Sequence, residues 1–319
     1  MGRSALGLLE RRLLFVTGKG GVGKTSVASA IGLLAASRGQ RTLVCEVDDK
    51  GNLADFLGVG PLRFEPTEVK PRLFAMSMDT EESLKEYMRL NLKIPLLAKV
   101  GPLARTFDFV ANAAPGVNEL LTVGKFAYEV RERHYDLVVV DASATGHVVG
   151  QLAAPVAIND LVKVGLVRSQ TDWMIDLLTD ADTTGVVVVT APEEMPVLET
   201  LELIERLRDE TEIDVASVVV NRVLPELFGR SEEEIFDRLR KPDAVQLLEE
   251  RAGDGVTEVL DGAELAVNLR RSRVPHLNRL REGLPPGLPL LYLPFLFHRS
   301  HGVRATSRIA EALGEELGF

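Results

Sequence analysis

The chain has 319 residues, long enough for one large α/β unit with insertions or for two domains around a substantial core. Its 37 Lys+Arg against 47 Asp+Glu give a formal net charge of −10, which argues against nucleic acid as a partner, since a general nucleic-acid surface needs a basic stripe. No apolar run reaches the ~18 residues of a membrane-spanning helix, and the one cysteine excludes an intrachain disulfide or a C-x-x-C zinc site.

Met1–Arg12 carries a short apolar stretch, Ala5–Leu9, that quickly meets Glu10-Arg11-Arg12. This is not a secretory-signal pattern, and a cytoplasmic protein is expected. Leu13–Val16 reads as a buried strand and Thr25–Ser37 as a helix rich in Ala, Ile and Leu. Between them lies Gly18-Lys19-Gly20-Gly21-Val22-Gly23-Lys24-Thr25-Ser26, which satisfies the G-x-x-x-x-G-K-[ST] phosphate loop. Glycines let successive backbone N–H groups turn toward an anionic phosphate chain. Lys24 can reach the β- and γ-phosphates of a nucleotide such as ATP, and the Thr25 hydroxyl can hold Mg²⁺. Lys19 is additional to that pattern; from the loop alone it also reads as an ordinary exposed lysine.

Further strands are expected at Thr42–Val47, Leu73–Met78, Asp136–Val140, Gly185–Thr190, Val215–Val220 and Leu288–Leu293, alternating with helix-length segments. Several are continuous apolar runs, so the expected fold is an α/β, mostly parallel twisted sheet covered by helices on both faces. Cys45, within a β-branched run, reads as a small buried thiol. Ligands of open sheets bind beyond the carboxyl ends of the strands, and two acidic residues fall there. Asp48 follows the second strand. Asp141 follows Leu137–Val140 and is the choice for the carboxylate that supports Mg²⁺ through water, against a turn-forming or helix-capping role.

Two helical insertions interrupt the pattern. The first, residues 80–131, is dense in apolar positions from Leu84, Tyr87 and Met88 to Phe107, Phe109 and Val110; it reads either as a lid packed on itself or as a groove for a hydrophobic helix. The second, residues 225–281, is heavily charged and contains Pro242, Gly253, Gly255 and Gly262. Val303–Phe319 can form an amphipathic helix, but Glu311, Glu315 and Glu316 suit packing better than anchorage to an anionic membrane.

With Lys19, the loop resembles the deviant Walker A motif, K-G-G-x-G-K-[ST], of the P-loop NTPase class that includes the MinD and ParA positioning ATPases and the arsenite-pump and tail-anchored-protein-targeting ATPases. In that class the extra lysine reaches across a dimer to the partner's nucleotide, so the resemblance implies a dimer. It narrows at Asp141-Ala142-Ser143-Ala144-Thr145-Gly146-His147, which is similar to the D-T-A-P-T-G-H switch II of the arsenite-pump and targeting family. Thr145, Gly146 and His147 are then expected to sense the γ-phosphate. Ala114-Pro115-Gly116-Val117-Asn118-Glu119 resembles that family's P-G-x-D-E motif, and Val218-Val219-Val220-Asn221-Arg222 its V-V-N segment, where the asparagine amide recognises adenine. Leu293-Pro294-Phe295 matches the loop flanking the base.

Switch I departs from D-P-A-H-[NS], because Asp48 is followed by Asp49-Lys50-Gly51-Asn52. Asp48 remains the candidate to orient the attacking water. The lone cysteine cannot supply an arsenite site or a zinc-clasped dimer. The expectation is one P-loop ATPase domain over residues 1–319, with ATP and Mg²⁺ as cofactors. Its partner is a second copy or a related ATPase, its client a protein for which a hydrophobic helix is one candidate, and residues 80–131 are the candidate client-binding subdomain, with the packed lid as the other reading. A low-activity regulatory subunit is the alternative and a MinD-type positioning ATPase the third reading.

Overall fold

The strands at the centre are those whose sequence leaves no polar face. β1 (Leu13–Gly18), β5 (Leu137–Asp141) and β6 (Thr184–Thr190) are buried along their whole length. β2 (Thr42–Glu46), β4 (Leu73–Ser77), β7 (Val215–Val223) and β8 (Leu290–Pro294) extend the sheet outward, and β3 (Thr67–Lys70) closes one edge. The computed structural model describes residues 5–48, 51–91, 116–297 and 302–319. Its sheet has eight strands in the order β3-β4-β2-β5-β1-β6-β7-β8. Neighbours run parallel except β3, which pairs antiparallel with β4.

Burial on both faces requires a helical layer on each. On one face Leu14, Val16, Val139 and Val219 pack beneath α1 (Lys24–Ser37) and α11 (Val303–Glu316). On the other, Phe15, Val138, Val140 and Val188 meet Phe126 of α4 (Val117–Arg131), Leu152 of α5 (Thr145–Leu161) and Leu207 of α7 (Glu194–Thr211). α6 (Leu166–Thr179) joins this second layer through Met174 and Leu178. Cys45 is fully buried in the second layer, as its strand pattern predicts. The acidic C-terminal helix is a packing helix: Ile309, Ala310 and Leu313 enter the core, and the Thr306 hydroxyl donates to the carbonyl of Phe56 (2.8 Å) at the end of α2 (Asn52–Leu57).

The described part of the first insertion consists of α3 (Thr80–Asn91) and α4. Lys125, 3% exposed, fastens them together through Glu86 and Glu129, each at 2.7 Å. Burial works against its charge, but the two carboxylates outweigh it and raise the ammonium's pKa. Of the apolar positions named above, Phe107, Phe109 and Val110, together with Ala114-Pro115 and Asp49-Lys50, lie outside the described residues. The second insertion forms α8 (Arg230–Leu239), α9 (Pro242–Ala252) and the long α10 (Val256–Gly283).

Candidate functional site

β1 delivers the chain to the middle of the sheet's carboxyl edge, where Gly18 turns it into the phosphate loop with φ +147°. A Cβ at Gly18 would collide with the carbonyl of Val189 on β6, so the loop can leave the sheet here only through glycine. The loop ends on Gly23, at φ +98°, which precedes Lys24 at the first turn of α1. No side chain caps that helix, so its leading N–H groups and the positive end of its dipole remain available to an anion. Lys24, Thr25 and Ser26 thus stand at the helix start, as the motif predicts, and Gly20 and Gly21 are exposed at the loop's tip.

Asp141 ends β5 directly beside β1, paired in register with Val16. Its Oδ2 accepts the Thr25 hydroxyl at 2.6 Å. The other oxygen, Oδ1, is buried without a hydrogen-bond partner among the described residues. Such an orphan carries a desolvation cost that a bound cation or its water would remove. Asp141 is only 6% exposed. Burial pushes its pKa up to about 6, against the opposing pull of the Thr25 hydroxyl and Lys24, while Glu46 and Asp48 add to the rise. A threonine hydroxyl and a half-satisfied carboxylate are hard oxygen donors of the kind Mg²⁺ takes, so Thr25 and Asp141 could hold the ion.

The two segments expected to act as switches meet at the same edge. Asp48 is exposed just beyond β2, and its Oδ1 accepts the Ser143 hydroxyl at 2.9 Å. The Ser143 carbonyl in turn accepts the Thr17 hydroxyl at 2.8 Å. Glu46, at the last position of β2 and 3% exposed, faces Asp141 across the ladder. It accepts the backbone N–H of Asn52 at 3.0 Å, fixing the start of α2. Thr145 begins α5 and its hydroxyl donates to Glu199 at 3.4 Å. Gly146 and His147 follow in the first turn, both exposed.

Asn221, near the end of β7, is buried. Its amide donates to the Val22 carbonyl of the loop at 2.9 Å and its Oδ1 accepts the N–H of Arg222 at 2.9 Å. A Cβ on Gly23 would strike this amide, so Gly23 and Asn221 are fitted to each other. Pro294 ends β8 in register with Val223. The structure therefore gathers every predicted site residue at one edge.

Two residues escape sequence reading. Lys19 makes a close ion pair with Glu199 of α7, a partner 180 positions away with nothing in its surroundings to mark it. Glu46 has a weak signal: a carboxylate closing an otherwise apolar strand.

A parallel sheet with helices on both faces, and a glycine loop running from its central strand into an uncapped helix, define a P-loop NTPase. More narrowly, the chain belongs to the anion-transporting ATPase family, whose model matches residues 11–175 and 167–247. It is 32% identical over 225 residues to "ATPase BagA" of Mycobacterium tuberculosis (strain ATCC 25618 / H37Rv), a match covering 67% of this chain and 66% of that one. It is 29% identical over 295 residues to a "Putative arsenical pump-driving ATPase" of Halobacterium salinarum, covering 86% of this chain and 44% of the relative. An "ATPase ASNA1 homolog" of Entamoeba dispar is 28% identical over 255 residues, covering 66% and 76%.

Proposed function

We propose that the protein is a Mg²⁺-dependent ATPase in which ATP closes a dimer, with a second copy or a related ATPase, and hydrolysis reopens it, driving capture and release of a protein client. The observation that carries this reading is the Thr25–Asp141 pair with its orphan oxygen at the mouth of the phosphate loop. Bound Mg²⁺ would neutralise phosphate charge there. The loop amides and Lys24 grip the phosphates. Asp48 orients the attacking water, and its bond to Ser143 ties that task to switch II, whose Thr145, Gly146 and His147 transmit loss of the γ-phosphate. Asn221 and Pro294 receive adenine, the Asn221 amide exchanging its bond to Val22 for one to the base. Lys19 acts in trans on the partner's nucleotide.

A hydrophobic-helix client is supported by the apolar side chains that α10 leaves in water, Val259 and Leu265 being 71% and 61% exposed. Among the described residues no helix is long and apolar enough to cross a membrane, and the proposed setting is the cytoplasm. The altered switch I keeps a second reading alive, a regulatory subunit that binds ATP and pairs with an active relative.

Capture from the native host's lysate on Asp48→Asn in Mg-ATP, with Lys24→Ala as control, tests the client. Proteins with hydrophobic helices retained only by Asp48→Asn are the expected result. Retention of a related ATPase alone would favour the regulatory reading, and equal retention by both variants would refute nucleotide-controlled capture.

A further inference from the structure

Glu199 touches two parts of the nucleotide machinery at once. It projects from the first turns of α7, one oxygen paired closely with the Lys19 ammonium and the other accepting the Thr145 hydroxyl at 3.4 Å. The Lys19 and Glu199 side chains are 31% and 29% exposed, so the pair is partly shielded. Lys19 lies between Gly18, which ends β1, and the exposed Gly20 at the loop's tip. In this structure the ammonium is held by Glu199 of its own subunit.

We infer that Glu199 is a positioning residue that restrains Lys19 in the nucleotide-free chain and links that restraint to switch II through Thr145. This rests on the reading of Lys19 as a trans-acting residue. Reaching a phosphate on the partner would draw the ammonium off the Glu199 carboxylate of its own subunit, so closing a dimer breaks one Lys19–Glu199 pair per subunit. The break opposes closure until the phosphates compensate. Because Thr145 begins α5, a shift of switch II would withdraw one of the two groups that hold the Glu199 carboxylate in place. Glu199 thereby sets the nucleotide level at which the dimer forms.

Two measurements on the full chain test this. The first is reductive methylation of the Lys19 amine in nucleotide-free protein, followed by peptide mass spectrometry. Glu199→Gln should raise its rate about two- to fivefold, the span expected for freeing a partly exposed ion pair. Thr145→Val should raise it by less. The second is sedimentation velocity across a titration of Mg²⁺ with a non-hydrolysable ATP analogue. Glu199→Gln should dimerise at lower analogue concentration, and in a Lys19→Ala background the same substitution should shift nothing. Equal Lys19 labelling in wild type and Glu199→Gln would overturn the restraint, and a shift that persists without Lys19 would reduce Glu199 to a structural role. Unchanged labelling in Thr145→Val would remove switch II. If wild type and variant both stay monomeric, the trans-acting reading fails, and labelling alone decides whether Glu199 restrains Lys19.

Discussion

Replacing Asp141 by Asn should make the nucleotide-free protein more stable and the enzyme inactive. The Asp141 carboxyl titrates at about 6 rather than its ordinary 3.8 because it is buried beside Glu46 and Asp48. Its charged form is therefore disfavoured by folding. A raised acid pKa means that the folded state binds the extra proton between the two values, so this group's cost is absent below about pH 4, grows as pH rises, and is complete above about pH 6. At roughly 1.4 kcal/mol per unit, the difference between 3.8 and about 6 amounts to about 3 kcal/mol as an upper bound at pH 7.5. Asn is nearly isosteric, can still accept the Thr25 hydroxyl, and carries no charge. Urea unfolding without Mg²⁺ or nucleotide should show Asp141→Asn more stable by about 1–3 kcal/mol at pH 7.5 and nearly equal to wild type at pH 4. With Mg-ATP the order should reverse, since only wild type gains binding energy from the metal. A variant less stable than wild type at pH 7.5 without ligand, or one whose advantage does not change with pH, would refute the reasoning.

Asp48→Asn should leave ATP affinity within about threefold of wild type but slow hydrolysis on the order of 100-fold, since a neutral amide positions water without polarising it; quench-flow and equilibrium dialysis separate the two. Asn221→Ala leaves the Val22 carbonyl without its buried donor and should cost about 1–3 kcal/mol in urea unfolding, together with weaker binding of a fluorescent ATP analogue. Gly23→Ala should fail more severely in both assays, because the new methyl group strikes the Asn221 amide and the backbone is held at φ +98°.

How far the sequence reaches depends on the range of the interaction that decides each feature. The central strands and the phosphate loop are local: Leu137–Val140 or Val186–Val189 can be buried on both faces only in a parallel sheet, and nothing but glycine can occupy the Gly18 turn. Strand β3 is missed because Thr67–Lys70 is short, polar and largely exposed at the edge, and pairing with β4 rather than composition makes it a strand. In the second insertion, Pro242 and Gly253 mark the two ends of α9 and Gly255 caps α10, but Gly262 lies inside α10 without breaking it. A glycine in a helix costs about 1 kcal/mol, which a helix of 28 residues tolerates. At the site, Asp141 is found by its position closing an apolar run, and Asn221 through the resemblance of Val218–Arg222 to the family's V-V-N segment. The Asn221 bond to Val22, the Glu46 bond to Asn52 and the Lys19–Glu199 pair are set by which strands become neighbours, and no local pattern encodes them.

Single-turnover hydrolysis of γ-labelled ATP by the purified chain in Mg²⁺, beside Lys24→Ala and Asp141→Asn, tests the ATPase reading most directly. The account predicts phosphate release by the chain alone that both substitutions abolish. Tight ATP binding with no release beyond the Lys24→Ala background would contradict it and leave the protein a regulatory partner of another ATPase.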